Sequence, residues 1–311
     1  MSLRLVFCGT PEFAVPTLEA VIAAGHQVAL VLTQPDRAAG RAMALNAPPV
    51  KIAAAAHGIP VLQPEKIKRN EELRAQLQAI APDAILVVAY GRIIPRWMLD
   101  LPRLGNINLH GSMLPKYRGA APIQWAIANG EQFTGVTTMR IDEGLDTGPM
   151  LLAEKLWIPP EATAPDLFAD LADIGARLMV ETLERLQTGE ITPVEQDHSE
   201  ATLAPILKRE DGLIDLSQPA QHIYNRWRGF QPWPGAFTTL RGRKLIVHRM
   251  AKSAYQGLPG ELIVDTGRLF FACGDNSALE IVELQLEGKK RMTAAEFLHG
   301  FQLKPGERLG A

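Results

Sequence analysis

The chain has 311 residues, 47% of them hydrophobic and 21% charged, with a net charge of −2. The length suits two domains around sizeable cores, and the composition is ordinary for a globular protein. Two cysteines far apart, Cys8 and Cys273, exclude a disulfide framework and a cysteine zinc cluster, and no apolar run approaches a membrane span.

The opening "MSLRLVFCGTPEF" turns at Gly9 before it could form a signal-peptide core. A reduced, soluble, cytoplasmic protein is therefore expected. Charge is uneven. Residues 1–207 carry 17 Lys and Arg against 23 Asp and Glu, and residues 208–311 carry 15 against 11. The basic C-terminal part hints at a polyanionic partner.

In chain order, 3–8 reads as a buried strand, 13–24 as a helix ending at Gly25, and 28–33 as a second strand. Residues 34–49, "QPDRAAGRAMALNAPP", have no clean period and read as a long loop. A helix near 50–57, a short strand at Val61-Leu62 and a helix near 71–80 follow. Strands at 84–89 and 105–110, a helix over 120–129, a strand at 135–141 and a long helix over 164–187 complete the front half. Alternating strands and helices predict an α/β fold with a doubly wound, mostly parallel sheet. From about 189 the chain turns polar, a connector. Beyond 210 come one helix (217–228) and five short strand-like runs between 235 and 286, the spacing of a small β-barrel.

The turn "CGTPEF" lacks the glycines of a dinucleotide fingerprint, which sets hydride transfer aside. No phosphate-binding P-loop, no H-E-x-x-H and no G-x-S-x-G are present. The stretch "NLHGSMLPKYRGAAPIQ" is more informative. Asn108 and His110 share one face at a strand end, where doubly wound sheets place their ligands. Asp146, in "RIDEGLDTG", follows another strand of the same sheet, so the three are expected to converge at one edge. An amide, an imidazole and a carboxylate suit acyl transfer to an amine. Two groups can donate to the developing oxyanion and one can take the proton. One histidine without a cysteine partner argues against a metal.

Five blocks, "CGTPEFAVPTLEA", "TQPDRAAGR", "NLHGSMLPKYRGAAPIQWAI", "VTTMRIDEGLDTGPML" and "FQPWPGAF", together resemble the methionyl-tRNA formyltransferase family of the 10-formyltetrahydrofolate-dependent transformylase superfamily. They span nearly the whole chain in the family's order. The resemblance implies a formyltransferase Rossmann-like domain at 1–189, a linker at 190–208 and an OB-like tRNA-binding domain at 209–311. It implies formyl transfer from 10-formyltetrahydrofolate to the α-amino group of initiator methionyl-tRNA, with translation initiation as the setting and no metal. The catalytic set falls on Asn108, His110 and Asp146. The folate site falls on Ser112, Met113, Leu114 and Pro115, on the backbone from Ala89 through Tyr90, Gly91, Arg92 and Ile93 to Ile94, and near 138–144. Met113 stands where a leucine is usual, a change of similar volume. The tRNA-facing loop falls on 34–49, with Arg37 and Arg41; its charge is thin, since Ala42 follows Arg41 where relatives often carry Lys.

In the C-terminal half, Lys208, Arg209, Arg241, Arg243 and Lys244, with Lys289, Lys290 and Arg291, are candidates for phosphate contact. Phe230 and Trp233 could stack on a base or, as aromatics between prolines more often do, seal a core. A monomer is expected. Two other readings stay open: a sister enzyme acting on an amino-sugar nucleotide, and a non-catalytic RNA-binding protein.

Overall fold

A computed structural model describes residues 1–39, 44–304 and 306–310. The chain divides into two compact units. One comprises Met1–Pro122, Phe133–Trp157 and Leu167–Pro205, and the other Ile123–Gln132, Ile158–Asp166 and Ile206–Ala311.

The strands up to residue 205 are β1 (Arg4–Gly9), β2 (Gln27–Leu32), β3 (Arg37–Ala39), β4 (Ala44–Asn46), β5 (Val61–Leu62), β6 (Ala84–Val88), β7 (Asn106–His110), β8 (Arg118–Gly119), β9 (Phe133–Arg140), β10 (Met150–Trp157) and β11 (Leu203–Ala204). The helices are α1 (Val15–Ala23), α2 (Pro49–Ala56), α3 (Glu71–Ile80), α4 (Arg96–Leu99), α5 (Pro122–Ala128) and α6 (Ala164–Thr188). Local chemistry explains α3. The Asn70 side chain accepts the Leu73 N–H, Glu71 and Glu72 stand in the first turn, and Leu73 and Leu77 are buried.

Seven strands form one sheet in the order β10-β9-β7-β6-β1-β2-β5. The pairs β6/β7, β1/β6, β1/β2 and β2/β5 are parallel. Alternate residues Val6, Cys8, Leu30, Leu32, Ile85 and Val87 pack into a core with Leu73, Leu77, Tyr90 and Met98. Their neighbours Leu5, Phe7, Val31, Leu86 and Val88 are fully buried too, as strands covered on both faces must be. The order in which strands are added reverses at β1, with β2 and β5 on one side and β6 and β7 on the other, so the C-terminal ends of β1 and β6, Gly9 and Val88, mark the crevice where such sheets hold ligands.

Two features depart from the sequence reading. β10 was not anticipated: "MLLAEKLW" buries only Leu151 and otherwise alternates half-buried and exposed residues along an edge. β9 runs antiparallel to β7, pairing Arg140 with Ile107 and Thr137 with His110. The end of β9 therefore lies at the edge opposite His110, and the expectation that Asp146 arrives there from a parallel strand end is corrected. Loop 34–49 also contains regular structure: β3 and β4 pair antiparallel, Arg37 with Asn46. Arg41 lies outside the described residues.

Residues 190–205 belong to the first unit. Met150 and Val194 exchange backbone hydrogen bonds of 2.8 and 2.9 Å. β11 pairs in parallel with β8, Ala204 opposite Gly119.

The second unit holds β12 (Phe237–Leu240), β13 (Arg243–Gln256), β14 (Leu262–Asp265), β15 (Arg268–Ala272), β16 (Ser277–Leu286), β17 (Met292–Thr293), α7 (Ala220–Gly229) and α8 (Ala294–Gly300). Its antiparallel sheet runs β12-β13-β16-β15-β14, with β17 on β16. The core comprises Val247, Met250, Leu269, Phe271, Ile281 and Leu284, closed by Tyr224 and Trp227 of α7 and Phe297 of α8. Residues 123–132 and 158–166 join it. Arg228 donates to the Ala162 carbonyl at 2.8 Å, Tyr224 bonds Glu161, and Phe230 meets Trp125 edge-on at 5.2 Å.

Candidate active site

β7 carries Asn108 and His110 to the same edge as the ends of β1 and β6, because β1, β6 and β7 are parallel neighbours. Asn108 is partly exposed, and its amide makes no hydrogen bond among the described residues. His110 is 5% exposed. Its Nε2 lies 2.8 Å from the Tyr117 carbonyl. A carbonyl only accepts, so Nε2 carries a proton, and Nδ1 is the nitrogen left to work. Nδ1 lies 3.7 Å from Asp146 Oδ2.

Asp146 reaches this place along loop 141–149, which doubles back from the far edge. Its φ of 51° lies in the left-handed region, sparsely used by non-glycine residues. Three bonds hold it there. The Gly119 N–H donates to Oδ2 at 2.9 Å. The Gln196 amide donates to the carbonyls of Asp146 and Gly148 at 2.9 and 2.7 Å. Thr147 and the Gly144 N–H bond the Asp142 carboxylate and stiffen the turn ahead. Gly148 is obligatory: a Cβ there would meet the Arg140 carbonyl at 2.0 Å. His110 and Asp146 are thus brought within 3.7 Å, although by another route than expected, and Asn108 stands two residues before His110 on β7.

The segment after His110 is shaped by its own bonds. Ser112 is fully buried and donates to the Lys116 carbonyl at 2.6 Å. Thr137 of β9 donates to the Ser112 carbonyl at 2.7 Å and accepts the Leu114 N–H at 3.2 Å. Met113 packs towards Gly135, where no side chain would fit. At the end of β6, Ala89 and Gly91 adopt left-handed φ values of 46° and 74°. A Cβ on Gly91 would find only the Gln34 amide, at 3.7 Å. Gln34 and Thr10 hydrogen-bond the Tyr90 carbonyl at 3.0 and 3.2 Å. Tyr90 and Ile94 are buried, whereas Ile93 is 91% exposed. Arg92 donates to the Glu65 carbonyl at 2.5 Å. Burial raises the Tyr90 phenol, which stays neutral. The loop thus offers turned backbone at the switch point with open space beside Gly91, a fit for a flat heterocycle read by main-chain groups. No cluster of metal-ligating side chains occurs among the described residues.

The basic candidates differ in availability. Arg37, Lys208 and Arg209 are exposed. Burial and then the neighbouring Arg209 charge lower the Lys244 ammonium, with Glu287 opposing, so Arg209 and Lys244 share one positive spot. Arg243 donates to the Glu287 carbonyl. Arg241 is engaged: it binds Glu307 through two nitrogens, one at 2.8 Å, and the Gln302 carbonyl at 2.9 Å. Phe230 is 1% exposed, which makes it core, while Trp233 is 55% exposed. Sequence reasoning missed Gln196, Arg118, Thr137 and Thr202. Arg118 and Thr137 lie inside the quoted blocks but carry no chemistry readable there, Gln196 and Thr202 lie in none of them, and only the fold brings the four to the site.

The family model "Formyl transferase" matches residues 3–183, and "Formyl transferase, C-terminal domain" matches 206–302. A methionyl-tRNA formyltransferase from Acidobacterium capsulatum is 67% identical over 311 residues, covering 99% of this chain and all of that one. Among solved structures, HypX from Aquifex aeolicus, crystallised with tetrahydrofolic acid, has a TM-score of 0.65 at 17% identity over 97% of this chain. The match takes in 48% of HypX, so this chain spans about half that protein's length. An N-formyltransferase from Helicobacter canadensis has a TM-score of 0.67 at 18% identity, covering 90% of this chain and 99% of that one.

Proposed function

This chain belongs to the methionyl-tRNA formyltransferase family and is a formyl-transferring enzyme; we propose that it transfers the formyl group of 10-formyltetrahydrofolate to the free α-amino group of initiator methionyl-tRNA through the site around His110. The observation that carries the reading is the approach of Asp146 Oδ2 to within 3.7 Å of His110 Nδ1. Asn108 stands two residues earlier on the same strand and is read as the third member of the set.

The chemistry needs little more. An α-amine has a pKa of about 7.7–8.0, so a neutral fraction exists at physiological pH and can attack directly. 10-Formyltetrahydrofolate supplies the formyl group. Negative charge gathers on the formyl oxygen as the amine attacks. Asn108 donates an amide N–H to that oxygen. His110 donates from Nδ1 when its ring carries both protons, Nε2–H being committed to the Tyr117 carbonyl. Asp146 Oδ2 takes the proton released by the amine. Holding amine and acyl carbon in register can contribute about 7–11 kcal/mol, and each donor about 2.7–4 kcal/mol.

In this reading Ser112, Met113, Leu114 and Pro115, with the backbone of Ala89–Ile94, cradle the pterin. HypX and the Helicobacter canadensis protein, crystallised with tetrahydrofolic acid and with folinic acid, support that placement by fold. Residues 1–205 carry the chemistry, and from about 206 onward the chain holds the tRNA backbone through Lys208, Arg209, Arg243 and Lys244. By the family resemblance, the acceptor end is assigned to Arg37 and Arg41. No helix among the described residues is long and apolar enough to cross a membrane; we place the enzyme in the cytoplasm as a monomer.

The test is steady-state formyl transfer with purified tRNA. Asn108→Ala and His110→Ala are expected to lower kcat by about 10²–10³-fold, with tRNA affinity by filter binding unchanged. Loss of tRNA binding at full kcat would overturn the assignment. Initiator methionyl-tRNA is expected to be formylated and an amino-sugar nucleotide ignored.

A further inference from the structure

We infer that Gln196 is a positioning residue that fixes the Asp146 carboxylate, and that residues 196–202 clasp both loops of the active site. The inference rests on the reading of Asp146 as proton acceptor given above.

Asp146 needs an external hold. Its backbone sits in a region a β-carbon disfavours, on a loop that has doubled back along the sheet. Gln196 is 4% exposed and spends its whole amide on this task. Its NH₂ bridges the carbonyls of Asp146 and Gly148. Its Oε1 accepts from Arg118 Nε at 3.0 Å and Nη2 at 2.7 Å. A guanidinium has donors only, so Arg118 dictates which end of the amide faces which loop. Arg118, itself 7% exposed, also meets His198 Nδ1 at 3.0 Å. His198 therefore accepts through that nitrogen.

The same stretch reaches the His110 side. Thr202 Oγ1 accepts the Tyr117 N–H at 2.9 Å, and Tyr117 presents the carbonyl that orients His110. The Thr202 carbonyl accepts the Arg118 N–H at 2.9 Å, and the Ala204 carbonyl accepts the Ala121 N–H at 3.2 Å. Gly119, held by this ladder opposite Ala204, turns its N–H to Asp146 Oδ2. One short segment, far from both loops in sequence, thus sets the distance between ring and carboxylate.

Gln196→Glu keeps the size and an acceptor for Arg118 but removes the donors to both carbonyls. Gln196→Met keeps the bulk and removes donors and acceptor alike. With either, kcat is expected to fall by about 10²-fold, with the KM for tRNA unchanged and the protein folded by circular dichroism. Hydrogen exchange of the Gly119 amide, which reports its bond to Asp146 directly, is expected to quicken. In an Asp146→Asn background, Gln196→Met should cost nothing further, since the group it positions is gone. Independent, multiplying losses, or unchanged Gly119 exchange, would overturn the inference. If Asp146→Asn itself retains full kcat, the role given to Asp146 fails instead, and Gly119 exchange still decides whether Gln196 fixes that loop. Should one variant not fold, the other carries the test.

Discussion

His26 shows how a single side chain ties stability to pH. Its Nδ1 accepts the Leu3 N–H at 3.2 Å, and its Nε2 is buried with no partner among the described residues. Both facts require the neutral ring. Burial lowers the pKa below the ordinary 6.5, with Glu184 opposing and the N-terminal amine adding to the shift. The unfolded chain therefore binds the proton more readily. His26 should support folding fully above 6.5 and lose that support as pH falls below 6.5 towards the folded value. The melting temperature of the native protein should drop more between about pH 7.5 and about pH 5.5 than that of His26→Asn; equal drops would remove His26 from the account. At this scale the sequence pointed to Asn108, His110 and Asp146, because an amide and an imidazole two residues apart share one face at a strand end. It could not show Gln196, a glutamine in a polar stretch whose meaning lies wholly in its neighbours.

Among elements, the β8–β11 pair has the greatest consequence for its size. Gly119 has a φ of +123°, and a Cβ there would meet the Ala204 carbonyl at 2.6 Å. Gly119→Ala should push β11 away and disturb the N–H that holds Asp146. Gly58, at φ +66° with nothing within 4 Å, supplies the control for backbone strain alone. Each alanine costs about 1–2 kcal/mol from its left-handed backbone. Only Gly119→Ala should also reduce kcat, as thermal melting and turnover measured together will reveal. The polar stretch after 189 reads as a connector because two-residue strands carry too little pattern to be legible. β10 is eight residues long, but it carries charged residues and only one buried side chain along an edge, so its pattern stays weak. α8 had a signal: Thr293 and Glu296 form a capping box, with Glu296 Oε2 accepting the Thr293 N–H at 2.8 Å.

For the whole molecule, the excess positive charge after residue 207 matters only where it is free to meet phosphate. Arg241 is neutralised by Glu307, Arg268 by Glu280 and Arg291 by Glu283. Lys208 and Arg209 are exposed instead. Lys208→Ala is expected to reduce the salt dependence of tRNA binding by roughly one unit in the log–log slope. Arg241→Ala should leave that slope unchanged and lower the melting temperature by a few degrees, as loss of a packed ion pair over the Phe301 ring would. A binding titration at several salt concentrations separates the two; equal slopes would show that ion pairing does not govern which cations serve.

By itself the sequence determined the two-part organisation, the doubly wound sheet, the strand-rich C-terminal half and the placing of Asn108 and His110 on one face of a strand end. Buried runs, glycine turns and a dense motif are local signals, readable within a dozen residues. Only the tertiary structure decided that β9 runs antiparallel, that Asp146 returns by a loop, and that Arg118 and Gln196 clamp it from afar. The clamp depends on hydrogen bonds between residues 50 to 80 positions apart, and such bonds leave no periodicity in the chain that forms them.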